Sequence, residues 1–337
     1  MDRLTQPLTS DRKFAVIAVN NIFTNIAEPL SSSDNHTIVS NKLPFGLEDH
    51  WRDWLGKIQY DNLSACNLFI ERYRESGWAA GQLEIVDGVN ESLKSEVYAL
   101  FGLLHLLGSW EYEGSKVYLF SGYMQNGFAR VRQFTRPDWF QVTSGYTKAE
   151  LTPQSIEDAL SLHRAFEDFK SRLPDDQRAR FWRGFRALLS GLKAFYASDR
   201  LHGFVRSLEA LILPEKSNTE KQFRDRCAIM AAPDAEEAKA RQMLGEAYKL
   251  RSDVEHVNEW DKSLTSLPDA SARELRALWR TRQVEALASA AYRRILLDPK
   301  IQHHFMSDAD IRALWDPSNV ANARAAIGNV RDITTIK

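Results

Sequence analysis

The spacing of apolar residues changes along the chain, and the change separates two parts. In residues 1–150, short apolar runs alternate with segments whose apolar residues recur at helical spacing. Strands are predicted at residues 14–19, 37–40 and 82–86, and helices at residues 50–73 and 91–107. This mixture predicts an α+β N-terminal domain.

A β-hairpin is the clearest local prediction in this domain. Asn126-Gly127 lies between two strand-like runs, and this dipeptide tolerates the positive φ angles of a type I′ turn. The second run, residues 128–134, interleaves basic and aromatic side chains. Such a surface can stack on bases and neutralise the phosphates of single-stranded nucleic acid. An ordinary half-buried strand explains the same alternation equally well.

Beyond residue 150 the chain has the composition of continuous helix, because Ala, Leu, Arg and Glu dominate. Thr152-Pro153 has the form of an N-cap followed by proline, and Pro174 ends the helix that begins there. Further helices are predicted at residues 178–197, 201–213, 221–231, 235–256, 272–297 and 308–315. We therefore predict an all-α helical bundle over residues 151–337, after an α+β domain over residues 1–150, and mainly α structure overall.

Length and charge limit the function without naming it. The 337 residues, 44% of them hydrophobic, suffice for two domains with sizeable cores. The formal net charge of −1 provides no global positive field for nucleic acid or anionic lipid, so any RNA contact must be local.

The cysteines and apolar runs bear on location. Cys66 and Cys227 are far apart and form no CxxC pattern, which argues against zinc and against a disulfide framework. The apolar run at residues 14–23 lacks the cleavage site of a signal peptide, and the run at 97–107 is too short to span a bilayer. A cytoplasmic protein without membrane association is expected.

Arg251-x4-His256 is the candidate for chemistry. An always-charged planar guanidinium and an imidazole that titrates near neutrality suit work on a phosphodiester. The spacing alone is weak evidence in a chain that holds 8 histidines and many arginines. Its context carries more weight.

Three successive predicted helices carry a pattern around this motif: Leu208-Glu209 and Leu211, then Arg226 and Ala228, then Tyr248, Arg251, Ser252 and His256. The pattern resembles the ApeA-type HEPN domain over roughly residues 155–300, most strongly over 204–256. Two positions depart from it. Many active HEPN proteins have Asn, Asp or His where this chain has Ser252, and glycine often stands where it has Val257.

The resemblance implies a metal-independent endoribonuclease without a cofactor, in which a ribose 2′-hydroxyl attacks the adjacent phosphate. His256 is then the general base or acid, and Arg251 stabilises the charge that builds on the phosphoryl oxygens. Ser252, Glu209, Arg226 and Tyr248 are the expected supporting residues. DNA lacks the nucleophile, so the substrate is RNA, and single-stranded RNA is expected.

The motif geometry favours a homodimer. At about 100° per residue, side chains five positions apart on a straight helix point about 140° away from each other. One helix therefore aims both at one phosphate only if it breaks nearby, or if two chains each bring a motif to a shared cleft. HEPN relatives commonly dimerise in that way.

Each of these residues also has a purely structural interpretation. Arg251 can pair with Glu255 at i,i+4 while His256 merely ends a helix favourably. Glu209 and Arg226 can form an internal salt bridge instead of supporting the motif. Ser252 shares a helix face with His256 and can orient the imidazole, or it can simply be solvated.

Two functions of different classes follow. The first is an RNA-cleaving HEPN protein, such as a bacterial antiviral defence or toxin-like effector. Its N-terminal domain would recognise a trigger or restrain the nuclease, with a protein trigger or antitoxin as partner. The second is a non-catalytic HEPN module that binds RNA or a protein, which Ser252 and the mildly acidic charge balance favour.

Overall fold

The computed structural model of the chain describes residues 11–21, 26–31, 36–43, 45, 49–75, 77–108, 110, 112–140, 150–256, 262–264 and 266–336. These residues belong to two compact units. The first comprises the described residues up to Phe140 and continues through the start of a long helix to His163, and the second contains the described residues from Arg164 onward. Among the described residues, no helix is both long and apolar enough to cross a membrane.

A single antiparallel sheet organises the first unit. Its described strands are β1 (Arg12–Asn21), β2 (Leu30–Ser31), β3 (Thr37–Ser40), β4 (Leu68–Glu75), β5 (Tyr112–Gln125) and β6 (Phe128–Thr135). They lie in the order β2-β3-β4-β1-β5-β6, so β1 pairs with both β4 and β5. The strands predicted at residues 14–19 and 37–40 are confirmed as β1 and β3.

Helices cover this sheet, and β1 contributes side chains to both of its faces. The helices are α1 (Asp49–Leu55), α2 (Lys57–Ser64) and α3 (Gly88–Leu107). Phe14 and Val16 pack with Trp51 of α1 and Leu63 of α2 in one hydrophobic core. Lys13, the neighbour of Phe14, reaches the Asp87 N-cap of α3 at 2.8 Å. Helix α3 confirms the helix predicted at residues 91–107.

The core of the first unit contains an ion pair. Arg12 Nη2 lies 2.7 Å from Glu71 Oε1, and both side chains are almost fully buried. The Arg12 guanidinium also lies over the Tyr73 ring at 4.2 Å. Burial raises the pKa of Glu71 to about 7, although Arg12 acts in the opposite direction. Desolvation of the carboxylate therefore outweighs the attraction of its partner.

Two predictions in this unit are wrong. Residues 82–84 form a turn instead of a strand, because local hydrogen bonds such as Ile85 N to Gln82 O hold the segment just before α3. Residues 50–73 are not one helix: α1 stops at Gly56, which has φ +78°, and residues 68–75 form the inner strand β4. Strand β4 begins with Leu68-Phe69-Ile70 and continues with Glu71-Arg72-Tyr73-Arg74-Glu75, so its sequence lacks the strict alternation of apolar and polar residues that marks a half-buried strand.

The predicted hairpin is confirmed. Strands β5 and β6 are joined at Asn126 and Gly127, whose φ angles are 52° and 81°. Both angles are positive, as a type I′ turn requires.

Within its described residues, the regular secondary structure of the second unit consists of helices. Its helices are the end of α4 (Pro153–Arg172), then α5 (Asp175–Lys193), α6 (Ala197–Ile212), α7 (Thr219–Ala231), α8 (Glu237–Glu255), α9 (Ala270–Leu297), α10 (Pro299–Gln302), α11 (Asp308–Leu314) and α12 (Val320–Ala326). The longer helices confirm the sequence prediction with ends displaced by a few residues. Thr152 caps α4 as expected, since its hydroxyl accepts a hydrogen bond from the Ser155 backbone N–H at 3.1 Å.

The border between the units differs from the predicted position. The sequence assigns all of α4 to the bundle, whereas its first half, up to His163, belongs to the first compact unit. Residues 141–149, which adjoin the predicted border, lie outside the described residues. The change in composition near residue 150 marks where the chain becomes continuously helical. It does not show that the first half of α4 belongs to the first compact unit.

Helix α6 lies at the centre of the second unit and packs on α5, α8 and α9. Its approach to α5 requires glycine, because a Cβ atom on Gly203 would lie 2.8 Å from Ala187 O and 2.9 Å from Gly191 Cα. A buried ion pair of 2.7 Å between Arg200 and Glu285 joins α6 to α9. These contacts fix the helix that carries the polar residues described next.

Candidate functional site

The candidate motif lies at the C-terminal end of α8. This helix ends at Glu255, and the backbone N–H of His256 still donates to Ser252 O at 3.1 Å. Arg251 therefore lies four residues before the end of the helix, and His256 is the first residue beyond that end. His256 is exposed, and the residues that follow it, 257–261, lie outside the described part of the chain.

Arg251 is held by two carboxylates from different helices. Its Nη1 lies 2.6 Å from Glu255 Oε2 on the same helix, and its Nη2 lies 3.3 Å from Glu209 Oε2 on α6. The Arg251 side chain is only 13% exposed. Its Nε is buried and has no hydrogen-bond acceptor among the described residues. The Nε–H is thus a buried donor that no described acceptor uses.

Tyr248 contacts both Glu209 and Arg251. Its hydroxyl donates a hydrogen bond to the Glu209 carboxylate, and its ring lies 5.5 Å from Arg251 Cζ. Burial raises the pKa of Glu209, and nearby Arg251 opposes that rise. Burial and the negative charge of Glu209 raise the pKa of Tyr248, so its hydroxyl stays protonated and remains a donor.

His202 on α6 is the histidine that the structure brings to this network. Its Nδ1 lies 3.7 Å from Glu255 Oε1, and the ring is partly exposed. Burial lowers the pKa of His202, and the positive charge of Arg251 lowers it further. No contact of this kind is found for the His256 side chain among the described residues.

The sequence contained a signal for His202 that motif reading did not use. Polar residues recur on α6 at spacings of three and four, which places Asp199, His202, Arg206 and Glu209 on one face. Helix α8 carries a matching stripe of Tyr248, Arg251 and Glu255. His202 meets Glu255 and Glu209 meets Arg251, so the two stripes run antiparallel.

The other supporting residues have different surroundings. Arg226 does not pair with Glu209: its Nη1 donates to the carbonyls of Ile212 at 2.7 Å and Leu213 at 3.1 Å, which closes the C-terminus of α6. Ser252 is half-buried, and no side-chain hydrogen bond to His256 is found among the described residues. The i,i+4 pair of Arg251 with Glu255, expected from the structural interpretation, is present.

We define the polar cluster as Asp199, His202, Arg206, Glu209, Tyr248, Arg251 and Glu255. It contains three carboxylates and two guanidiniums. An incoming phosphate must therefore compete with a carboxylate for Arg251. Glu255 lies closer to the guanidinium than Glu209 does, at 2.6 Å against 3.3 Å. It is nevertheless the weaker competitor, because its side chain is 35% exposed whereas that of Glu209 is 18% exposed, and solvent screens exposed ion pairs. The cluster can thus bind an anion on the outer side of Arg251.

Strand β6 uses its basic residues within the first unit. Arg132 Nη2 donates to the Tyr123 hydroxyl at 3.0 Å, and its Cζ lies 5.3 Å from the centre of the Tyr123 ring. Arg130 lies 5.9 Å over the Phe128 ring. These arginines stack on aromatic side chains of their own unit, as expected for an ordinary half-buried strand.

No group of three or more His, Cys, Asp or Glu side chains is placed to hold a metal ion in the described ranges. His303, His304, Asp308 and Asp310 are near one another in the sequence but form no such group. The ring centroids of His303 and His304 lie 3.7 Å apart. Asp308 binds Arg180 at 2.7 Å, and Asp310 accepts a hydrogen bond from Ser307. Both carboxylates therefore already have protein partners.

Comparison with known proteins finds no match among protein-family models, among curated proteins or among solved structures.

Proposed function

We propose that this protein is a metal-independent endoribonuclease of the HEPN type that acts on single-stranded RNA in the cytoplasm. The observation that carries the proposal is the position of Arg251. Its guanidinium is fixed from the inner side by Glu209 and Tyr248, and it has a buried, unused Nε donor. His256 is exposed one residue beyond the same helix.

These positions suit transfer of a phosphoryl group between oxygens. Arg251 exchanges the half-exposed Glu255 for a phosphate oxygen and stabilises the charge that develops there. His256 transfers a proton in the same step. The 2′-hydroxyl of RNA is the nucleophile, so the reaction needs neither a metal nor another cofactor.

The assembly we propose is a symmetric homodimer with the two His256 side chains near its axis. Arg251 lies four residues before the end of α8 and His256 just beyond that end, so one chain presents them in different directions. A second copy completes a two-sided site.

We further propose that the N-terminal domain senses a trigger or binds an antitoxin, which suits a bacterial antiviral defence effector.

Cleavage of mixed single-stranded RNA in EDTA tests this proposal. His256→Ala and Arg251→Ala should each remove nearly all cleavage, because proton transfer by His256 typically contributes about 10²–10⁴-fold and Arg251 stabilises the charge on the phosphate. Arg251→Lys should also be impaired, because an ammonium lacks the planar fork of donors. Arg186→Ala, an exposed arginine on α5, is the matched control and should cut like the wild type.

A non-catalytic HEPN module that binds RNA or a protein is the second candidate. Two observations favour it: both carboxylate partners of Arg251 are already in place, and Ser252 follows the arginine. Under this alternative the wild type binds RNA or a partner protein but leaves every RNA intact. Cleavage that needs magnesium, or that survives both alanine substitutions, would rule out the mechanism proposed above.

A further inference from the structure

The proposed reaction needs two proton transfers, and the Arg251-x4-His256 motif supplies one imidazole. One group must take the proton of the attacking 2′-hydroxyl, and another must give a proton to the departing 5′-oxygen. The two act on opposite sides of the phosphorus. A symmetric dimer has two equivalent sites and therefore one His256 for each, so each site needs a second proton-transfer group. This inference rests on the proposed function.

His202 has the position that such a group needs. It lies on α6, across from the end of α8, and its Nδ1 faces Glu255 Oε1 at 3.7 Å. The other oxygen of Glu255 contacts Arg251 Nη1 at 2.6 Å. One carboxylate thus links the candidate phosphate-binding guanidinium to an imidazole that is partly exposed.

Glu255 can exchange between these two partners. When a phosphate oxygen takes its place at Arg251, the carboxylate is free to accept a hydrogen bond from His202 Nδ1–H. A carboxylate on one ring nitrogen fixes the tautomer, so that the other nitrogen, Nε2, carries the lone pair. The distance of 3.7 Å is longer than a hydrogen bond, and catalytic hydrogen bonds commonly shorten once substrate is bound.

We propose that His202 is the general base of this reaction, oriented by Glu255, and that His256 is its general acid. His202 Nε2 takes the proton of the 2′-hydroxyl as the 2′-oxygen forms a bond to phosphorus. The bond from phosphorus to the 5′-oxygen breaks, and that oxygen receives a proton from His256. The products are a 2′,3′-cyclic phosphate and a 5′-hydroxyl, and no water, oxidant or metal is consumed.

The charges around His202 agree with the role of base. Burial and Arg251, together with Arg206, lower the pKa of His202. Glu255 and Asp199 oppose that lowering but do not reverse it. The neutral imidazole, which is the form that accepts a proton, is therefore favoured at neutral pH.

An RNA whose 5′-oxygen at the cleavage site is replaced by sulfur separates the two roles. A thiolate leaves without being protonated, so loss of the general acid matters little on this substrate, whereas loss of the base still matters. On ordinary RNA, His202→Ala and His256→Ala should each lose about 10²–10⁴-fold in rate. On the sulfur substrate, His256→Ala should recover towards the wild-type rate and His202→Ala should not.

Further variants distinguish a loss of catalysis from a loss of folding. His202→Gln keeps a polar side chain of similar length and should be as inactive as His202→Ala, with unchanged thermal unfolding. Glu255→Gln should slow cleavage and move the acidic limb of the pH–rate profile to lower pH, because Glu255 raises the pKa of His202. His303→Ala, an exposed histidine outside the polar cluster, should cut like the wild type.

Three outcomes would overturn the assignment. If His202→Ala retains wild-type cleavage while Arg251→Ala and His256→Ala are inactive, the proposed function stands and the role of His202 does not. If the sulfur substrate rescues His202→Ala instead of His256→Ala, the acid and the base are reversed. A wild type that cleaves no RNA removes both proposals.

Discussion

At the scale of single residues, Arg251 makes two ion pairs that differ in burial. The pair with Glu209 is more buried and is reinforced by the Tyr248 hydroxyl, whereas the pair with Glu255 lies at the rim. Exposed i,i+4 pairs contribute about 0.3–0.5 kcal/mol, while removal of one partner of a buried pair costs several kcal/mol. A ligand that competes for Arg251 therefore displaces Glu255 first.

Burial and the attraction of Arg12 also act in opposite directions on the pKa of Glu71. The contribution of Glu71 to stability therefore depends on pH. The pKa of Glu71 is raised from 4.5 to about 7 by burial, so between these values the folded protein holds a proton that the unfolded chain has lost. Stability contributed by this group is present below pH 4.5 and falls as the pH rises towards 7. The effect across this range is on the order of 3 kcal/mol.

The Glu71→Gln variant tests this pH dependence of stability, because glutamine keeps a hydrogen-bond acceptor for Arg12 but does not titrate. Urea unfolding of the wild type and the variant, measured from pH 4.5 to 7, should show a smaller loss of stability in the variant as the pH rises. Equal pH dependence of the two proteins would mean that the carboxyl of Glu71 titrates at its ordinary pKa.

At the scale of elements, the position of α6 against α5 determines whether its polar stripe meets α8. A Cβ atom on Gly203 would come within 3 Å of the α5 backbone, at Ala187 O and Gly191 Cα. Backbone atoms cannot move aside as a flexible side chain can, so the helices must separate.

Gly203→Ala should therefore destabilise the protein by about 1–3 kcal/mol, although alanine is the better helix former. Gly245→Ala on α8 is the matched control, because the nearest atom to its added Cβ is the flexible Arg224 Cδ at 3.6 Å. Thermal unfolding of both variants checks the prediction. A Gly203→Ala protein at least as stable as the wild type would contradict the close packing of α5 and α6.

The elements also explain what the sequence could and could not predict. Helix α8 was predicted at residues 235–256 and is found at 237–255, because its apolar spacing and the preceding proline are local signals. Strand β4 lies inside a predicted helix, because its residues Leu68–Glu75 do not alternate strictly between apolar and polar. The polar cluster needs two helices to meet, so a motif on one helix identified Arg251 but not His202.

At the scale of the whole molecule, the site that we propose requires two copies of the chain. Arg251 and His256 lie near the end of one helix, and the shared cleft that we propose would let each copy present one of them to a phosphate. Light scattering at micromolar concentration should give twice the 38.6 kDa mass of the chain. A monomer with full nuclease activity would show that one chain suffices and would remove the reason for the dimer.

The measurement that tests the central claim most directly uses two labelled single-stranded RNAs that differ by one oxygen. One is all ribose, and the other has 2′-deoxyribose at the position where the first is cut. Incubated with the purified protein in EDTA, the first should yield a 2′,3′-cyclic phosphate and the second should stay intact at that position, because its nucleophile is missing. Cleavage of both RNAs at that position, or of neither, would contradict the account.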